Sequence, residues 1–319
     1  MDFVMQLAAV AVLVGSCAGW GIALRRLVRK QPVLAHHPRR PATWGLIDLA
    51  LAALLLMAFQ MVSVFVLRHG YGIDPTQGWE HLASRELTLV TLAEPVANLA
   101  AIATALVVIG WRTGAGCRAF GISLRHMGHD LWLGLAAFVM LAPPVYAIQS
   151  LLVVWFPYRH PLISMLQQHS ETRVQVAVFF SAVVAAPIVE EFFYRVLWQG
   201  WLQDVLPRLQ QFPQLVFGSP VAPIPSSNDR PAPVGASGAE ATQPPSPAAE
   251  ALAIVACATL FAAMHVSHGP APIPLFVLAL GLGYLYARTG RVLPCIVVHV
   301  LLNGCSLAVL LMDLWRIAG

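Results

Sequence analysis

Residues 43–67 read TWGLIDLALAALLLMAFQMVSVFVL, with a single charged side chain, Asp48. A helix of about 20 predominantly apolar residues spans the roughly 30 Å hydrocarbon core of a bilayer, so this run predicts a transmembrane helix. Comparable runs recur along the chain and give eight candidate spans, at approximately 3–24, 43–67, 88–111, 129–156, 174–203, 250–267, 271–287 and 292–315. The sequence therefore predicts an all-α, polytopic transmembrane helix bundle of about eight spans.

The composition excludes a soluble protein. Of the 319 residues, 58% are hydrophobic and 11% are charged, and the mean hydropathy is +0.71. Soluble domains carry about 25% charged residues. The net charge of +4 does not indicate a nucleic-acid partner, because the basic residues cluster beside the apolar runs. The five cysteines show no CxxC spacing and predict neither a disulfide framework nor a thiolate metal site.

Basic residues concentrate in the loops that follow the first, third and seventh spans. Cytoplasmic loops of membrane proteins carry an excess of Lys and Arg, so these three loops are expected to lie in the cytoplasm. We therefore predict an integral, multi-pass protein of a bacterial inner (cytoplasmic) membrane, with both termini outside. The residues concerned are Arg25, Arg26, Arg29, Lys30, Arg39 and Arg40, then Arg112, Arg118 and Arg125, then Arg288 and Arg291.

The chain divides into four N-terminal spans, residues 1–170, and a core with the candidate chemistry, residues 171–319. Between the fifth and sixth spans, at about 206–249, lies a stretch rich in Pro, Ala, Ser and Gly. Such a composition cannot bury enough apolar surface to order itself, so we predict a disordered insertion on the cytoplasmic side.

The fifth span contains three ionisable residues, Glu190, Glu191 and Arg195. A charged side chain at the centre of a membrane helix costs about 2.5–3.5 kcal/mol on insertion scales, so such residues persist mainly where they pair or line a wet cavity. Glu191 and Arg195 lie one turn apart and can form an ion pair. Glu190 points to another face without an evident local partner. Glu190 is therefore the candidate general base, and the pair is interpreted as structural.

Two later spans add an imidazole each. The sixth ends in Phe261-Ala-Ala-Met-His265, and the eighth contains His299-Val-Leu-Leu-Asn303, with His299 and Asn303 one turn apart on one face. Two chemistries fit. In one, Glu190 and His265 position and deprotonate a water while the eighth span donates hydrogen bonds to an oxyanion. In the other, two histidines and a glutamate hold a divalent metal, with zinc the expected ion.

Three motifs in this order, on late transmembrane helices, resemble the CPBP family of intramembrane endopeptidases, which comprises type II CAAX prenyl proteases and bacteriocin-processing (Abi) proteins. The motifs are Glu190-Glu191-x-x-x-Arg195, Phe261-x-x-x-His265 and His299-x-x-x-Asn303, and the resemblance covers about 175–310. It implies hydrolysis of peptide bonds in membrane-associated polypeptides. Two departures are Val196, where a small residue often follows the arginine, and the long insertion.

The resemblance also implies roles for individual residues. Glu190 is then the catalytic carboxylate and His265 its partner. His299 and Asn303 form the pair on the oxyanion side. Members of the family are described both as glutamate-dependent proteases and as metalloproteases, so a metal-free site and a zinc site built from Glu190, His265 and His299 both remain open. Phe261 is expected to pack rather than react.

Two other functions compete with proteolysis. A proton-coupled transporter would use Glu190 and the histidines as a proton relay. A non-catalytic membrane scaffold would recruit a partner through the proline-rich insertion. The chain shows no inverted repeat, which argues against the transporter.

One geometric requirement follows from the motif positions. On straight antiparallel helices, Glu190 and His265 would lie ~16 Å apart, at a rise of ~1.5 Å per residue. We therefore predict at least one of three adjustments: a distortion at Pro187, a fifth span that runs on to about 203, or a late start of the sixth span.

Overall fold

The computed structural model describes residues 2–37, 40–157, 161–208 and 247–318. Within these residues the chain is helical, contains no strand, and forms nine helices longer than one turn. They are α1 (Asp2–Val28), α2 (Leu46–Tyr71), α3 (Ser84–Thr113), α4 (Met127–Trp155), α5 (Pro161–Gln168), α6 (Thr172–Val205), α7 (Pro247–Ala263), α8 (Pro272–Thr289) and α9 (Leu293–Ala318).

Seven of these helices are long and apolar enough to cross a membrane. The eighth apolar helix, α7, has 17 residues and is shorter than a typical span. Each predicted span coincides with a helix, with boundaries displaced by a few residues. The prediction of an all-α transmembrane bundle is confirmed.

The proline-rich insertion lies mainly outside the described residues, at 209–246. At its edges the chain is helical: residues 206–208 form a 3₁₀ turn and α7 begins at Pro247. The division of the chain at residue 170 stays a prediction.

Close contacts between helices use small residues. A Cβ added to Gly134 on α4 would lie 2.6 Å from Cβ of Val297 on α9, and one added to Gly281 on α8 would lie 2.6 Å from a Leu141 methyl on α4. Helix association in a bilayer relies on such close backbone approach, because lipid is as apolar as the side chains. These contacts make α4 the helix against which α8 and α9 pack.

The interior of the bundle is apolar apart from a few polar anchors. Trp44, before α2, is 1% exposed and donates its indole N–H to the Leu197 carbonyl oxygen on α6 at 3.0 Å. The buried Asp130 on α4 accepts a hydrogen bond from Arg291, just before α9, at 2.7 Å. Each anchor fixes a loop to a helix, so this end of the bundle is held by polar contacts as well as by apolar packing.

Helix α6 departs from regular α geometry on both sides of its glutamates. It is π-helical over Phe180–Ala185 and Glu191–Gln199, with an α-helical turn at Ala186–Glu190 between them. π-Segments are rare and frequently mark functional sites. The predicted continuation of the fifth span is confirmed, since α6 runs to Val205 over 34 residues. At least one of three adjustments was predicted, and this continuation meets that prediction; α7 begins at Pro247, so a late start of the sixth span is not among the adjustments observed.

Candidate active site

The two adjacent glutamates of α6 have different surroundings. Glu191 is fully buried, and its carboxylate accepts hydrogen bonds from Arg195 Nε at 3.0 Å and from His299 Nδ1 at 3.0 Å. The Glu190 side chain is 25% exposed, and its Oε2 lies 3.7 Å from His299 Nε2. Successive residues on a helix point about 100° apart, which is why only one of the two reaches accessible space.

His299 is held between both carboxylates. It is 3% exposed and projects from α9 toward α6. Glu191 uses both of its oxygens as acceptors, so His299 Nδ1 carries the hydrogen in the contact with Glu191. The hydrogen bond from Nδ1 to Glu191 fixes the orientation of the imidazole ring, so its Nε2 faces Glu190. The sequence had predicted neither the contact of His299 with Glu191 nor its contact with Glu190.

Arg195 completes the buried charge cluster. It is 0% exposed, its Nε binds Glu191, and its Cζ lies 5.6 Å from the centre of the Phe261 ring. Within the described residues, Nη1 and Nη2 have no hydrogen-bond partner. The guanidinium is thus stabilised by one carboxylate and by the face of an aromatic ring.

Phe261 joins the three motif helices. It is 0% exposed on α7, and its ring centre lies 4.8 Å from that of His265, 5.9 Å from that of His299 and 5.2 Å from that of Tyr194. The ring fills the space under both imidazoles and so fixes their separation. Tyr194, one turn after Glu190 on α6, is a site neighbour that the sequence analysis missed. Its spacing from Glu190 was the available signal.

His265 follows the end of α7 and precedes a 3₁₀ turn, Val266–His268. Its Nδ1 lies 2.8 Å from the Phe261 carbonyl oxygen, which can only accept, so Nδ1 carries the hydrogen. Nε2 of the neutral ring is then an acceptor. The Phe261 ring lies between His265 and His299, at 4.8 Å and 5.9 Å from their ring centres, and His299 Nε2 lies 3.7 Å from Glu190 Oε2. The structure therefore brings His265 and Glu190 together despite their separation on straight helices.

Asn303 is positioned by a gap in the hydrogen bonding of α6. In the first π-segment the Ala186 N–H donates to the Ser181 carbonyl, five residues back. The next carbonyl in this register, that of Ala182, would need the N–H of residue 187, which is a proline and has none. Asn303 Nδ2 donates to this Ala182 carbonyl at 2.9 Å. Pro187 thus creates the acceptor that orients Asn303, while one amide hydrogen and the amide oxygen of Asn303 stay outside that bond.

Six of the seven motif residues are linked by contacts where α6, α7 and α9 converge, and Asn303, one turn after His299, is bonded to α6 through the Ala182 carbonyl. They do not form a metal cage. Among the described residues, no group of three or more His, Cys, Asp or Glu side chains is arranged to hold a metal ion. The two nitrogens of His299 face the two glutamates, and Nδ1 of His265 faces a backbone carbonyl. The ligand set predicted for zinc, Glu190, His265 and His299, does not fit a metal in this arrangement, and the zinc alternative stays a prediction.

Fold and site together define a polytopic membrane protein with a carboxylate–imidazole centre among its helices. Residues 236–305 match the family described as "Type II CAAX prenyl endopeptidase Rce1-like". The matched range includes the motifs of α7 and α9, and the structure describes residues 247–305 of it. This match agrees with the resemblance to membrane endopeptidases seen in the motifs of the chain. Searches of curated proteins and of solved structures found no match.

Proposed function

We propose that this protein is an intramembrane endopeptidase that hydrolyses peptide bonds of membrane-associated proteins or peptides, in CAAX-type or bacteriocin-type processing, by a water that Glu190 activates. The observation that carries the proposal is the contrast between the two glutamates. Glu191 is fully buried and bound to Arg195 and His299 at 3.0 Å each, whereas Glu190 is 25% exposed and makes a longer contact with His299, at 3.7 Å. A carboxylate that meets water and substrate is suited to act as a base.

In the first step Glu190 removes a proton from water, and the water oxygen attacks the carbonyl carbon of the scissile bond. The carbonyl π electrons move to oxygen, which gives a tetrahedral oxyanion. In the second step the oxyanion re-forms the carbonyl, the C–N bond breaks, and the protonated Glu190 delivers its proton to the leaving amine. General acid–base catalysis of this kind contributes about 10²–10⁴-fold to a rate.

His265 is the proposed partner of Glu190 in holding the water. Its Nδ1–H is bound to the Phe261 carbonyl, so Nε2 is available to accept a hydrogen from the attacking water. The packing of Phe261 against this ring limits its rotation.

His299 and Asn303 are the proposed donors to the oxyanion. The imidazolium form of His299 donates from both nitrogens, and Nδ1 is already committed to Glu191. When His299 is an imidazolium, its charge and that of Arg195 balance the charges of the two glutamates. The low-dielectric interior favours this neutral total and therefore the imidazolium form. Asn303 contributes the amide hydrogen that Ala182 does not use. Fixed donors of this kind stabilise developing charge without reorganisation.

The test is cleavage of a membrane-anchored peptide by the full-length protein purified in detergent. Wild type is expected to cleave, and Glu190→Ala is expected to reduce the rate by at least ~100-fold. Cleavage that survives Glu190→Ala would refute the proposal. Arg85→Gln serves as a matched control, because it changes one exposed charge outside the site.

A second arm separates the two chemistries. The metal-free mechanism predicts full activity after exhaustive chelation and no stoichiometric metal in the purified protein. Loss of activity on chelation, with recovery on adding zinc, would replace this mechanism by the metal-dependent one. Proton-coupled uptake into liposomes that is lost in Glu190→Ala would instead indicate a transporter.

A further inference from the structure

Three loops meet at one end of the bundle and line an open basic cavity of about 590 Å³. They are the loops between α1 and α2, between α3 and α4, and between α8 and α9. The sequence predicts all three to be cytoplasmic. Four arginines line the cavity, Arg40, Arg118, Arg125 and Arg291, and within the described residues its lining contains no carboxylate.

The cavity wall is held by contacts between the loops. The Val292 N–H donates to the Gly121 carbonyl oxygen at 3.3 Å, which joins the α8–α9 loop to the α3–α4 loop. Gly121 has a φ of +72°, and a Cβ on it would lie 3.0 Å from the Gly290 carbonyl oxygen. The two loops therefore approach so closely that only a glycine fits at this position, which fixes the backbone of one loop relative to the other.

The cavity has an excess of positive charge. Arg291 is bound to Asp130, which is buried behind the wall, at 2.7 Å. Arg40, Arg118 and Arg125 are exposed. Three guanidinium groups thus converge on a space without a compensating carboxylate in its lining. Such an arrangement favours an anion with several acceptor oxygens, because one guanidinium group can donate two parallel hydrogen bonds to two oxygens of a phosphate.

The surface beside the cavity is apolar. Leu124, Met127, Leu131 and Trp132 lie at the start of α4 next to Arg125, and they are 79%, 46%, 48% and 70% exposed. Exposed apolar side chains on a membrane helix face acyl chains, and tryptophan is enriched at the level of the headgroups. A ligand with a phosphate group and acyl chains would use both surfaces, whereas a free phosphate would use only the cavity.

We propose that this cavity binds the phosphate headgroup of an anionic phospholipid from the cytoplasmic leaflet, with the acyl chains along the apolar start of α4. Basic pockets at the cytoplasmic ends of membrane helices bind anionic headgroups in this way. Arg291 lies ~12 Å before His299 along the chain direction of α9, at ~1.5 Å per residue, so the lipid site is separate from the candidate active site. It does not depend on the proposed function.

The test is a binding titration on the full-length protein in a neutral detergent, with dioctanoyl-phosphatidylglycerol as the anionic probe and dioctanoyl-phosphatidylcholine as the zwitterionic reference. The anionic lipid is expected to bind saturably and at least tenfold more tightly than the reference. The Arg118→Gln/Arg125→Gln variant is expected to lose about 30-fold in affinity for the anionic lipid, from the contribution of each arginine near anionic lipid. Arg85→Gln/Arg173→Gln removes two exposed charges from the other end of the bundle and is expected to leave the affinity unchanged.

A third variant guards against a folding defect. Arg118→Lys/Arg125→Lys keeps both charges and is expected to recover most of the affinity. Equal binding of the two lipids would overturn the proposal, and so would equal losses in the two Gln variants. The last measurement tests the binding of inorganic phosphate. If it binds as tightly as the lipid and displaces it, the cavity is a site for free phosphate and the lipid assignment is wrong.

Discussion

Replacing Glu191 by glutamine preserves the size of a fully buried side chain and removes its charge. In the native cluster the two carboxylate oxygens accept from Arg195 and from His299. Glutamine has one acceptor oxygen and one NH₂ group, so one of the two donors would face another donor. At the same time Arg195, which is 0% exposed, would lose its only carboxylate contact in the described residues.

The expected cost is large. Removing one partner of a buried ion pair destabilises a protein by about 3–5 kcal/mol, because the remaining charge stays buried without compensation. The same change at Glu190 is expected to cost less than about 1 kcal/mol, because that side chain is 25% exposed and its contact with His299 is longer, at 3.7 Å. Two adjacent glutamates should therefore differ by at least ~2 kcal/mol in their effect on the free energy of unfolding.

The assay is reversible unfolding in mixed micelles, followed by the fluorescence of the nine tryptophans. Glu191→Gln is compared with Glu190→Gln as its matched control, and with the double variant Glu191→Leu/Arg195→Met. Replacing both members of a buried pair by apolar residues is often neutral, but here it also leaves His299 Nδ1 without its acceptor, so the double variant is expected to regain part of the lost stability. Equal effects of the two single Gln variants would refute this account of the cluster, and so would a double variant less stable than Glu191→Gln.

Three further predictions concern other parts of the molecule. Hydrogen bonds, of which the one from the Thr76 side chain has the largest effect, lower the pKa of Asp74 from 3.8 to about 2. The stabilisation that ionised Asp74 contributes is therefore present above pH 3.8 and is lost as the pH falls toward 2. The unfolding midpoints of wild type and Asp74→Asn should differ at about pH 6 and converge in acid. Gly134→Ala would place a Cβ 2.6 Å from Cβ of Val297. In the same micelle assay this change should lower the free energy of unfolding by about 1–3 kcal/mol. An unchanged free energy of unfolding would show that α4 and α9 separate easily. Asn303→Ala should reduce kcat of peptide cleavage by about 100-fold with little change in KM, and an effect on KM alone would contradict a role at the oxyanion.

The membrane helices were predictable because their apolar runs depend only on local composition. The candidate site residues also stood out in the sequence, since ionisable and amide side chains within apolar runs are rare and their one-turn spacing places them on common faces; their roles stay a prediction. The motif required Glu190 and His265 to come together, and the continuation of α6 to Val205 is one of the adjustments that the sequence predicted for this purpose.

The contacts within the site were not predictable. Which glutamate each nitrogen of His299 faces depends on the rotation of α9 about its axis relative to α6, and no local pattern encodes this. The π-segments of α6 have no signature in the hydrophobic period, although Pro187 marks the carbonyl that Asn303 binds. The basic cavity likewise combines three loops that are distant in the sequence, and its arginines were interpreted only as topology signals.

The central claim is that Glu190, and not its neighbour, supplies the base. Glu190→Gln is the most direct probe, because the amide keeps the shape of the side chain and cannot take the proton from water. With the full-length protein freed of metal by chelation, the account predicts that wild type cleaves a membrane-anchored peptide. Glu190→Gln, destabilised by no more than about 1 kcal/mol, is predicted to cleave it at least ~100-fold more slowly. A folded Glu190→Gln variant that cleaves within about threefold of the wild-type rate would contradict the account.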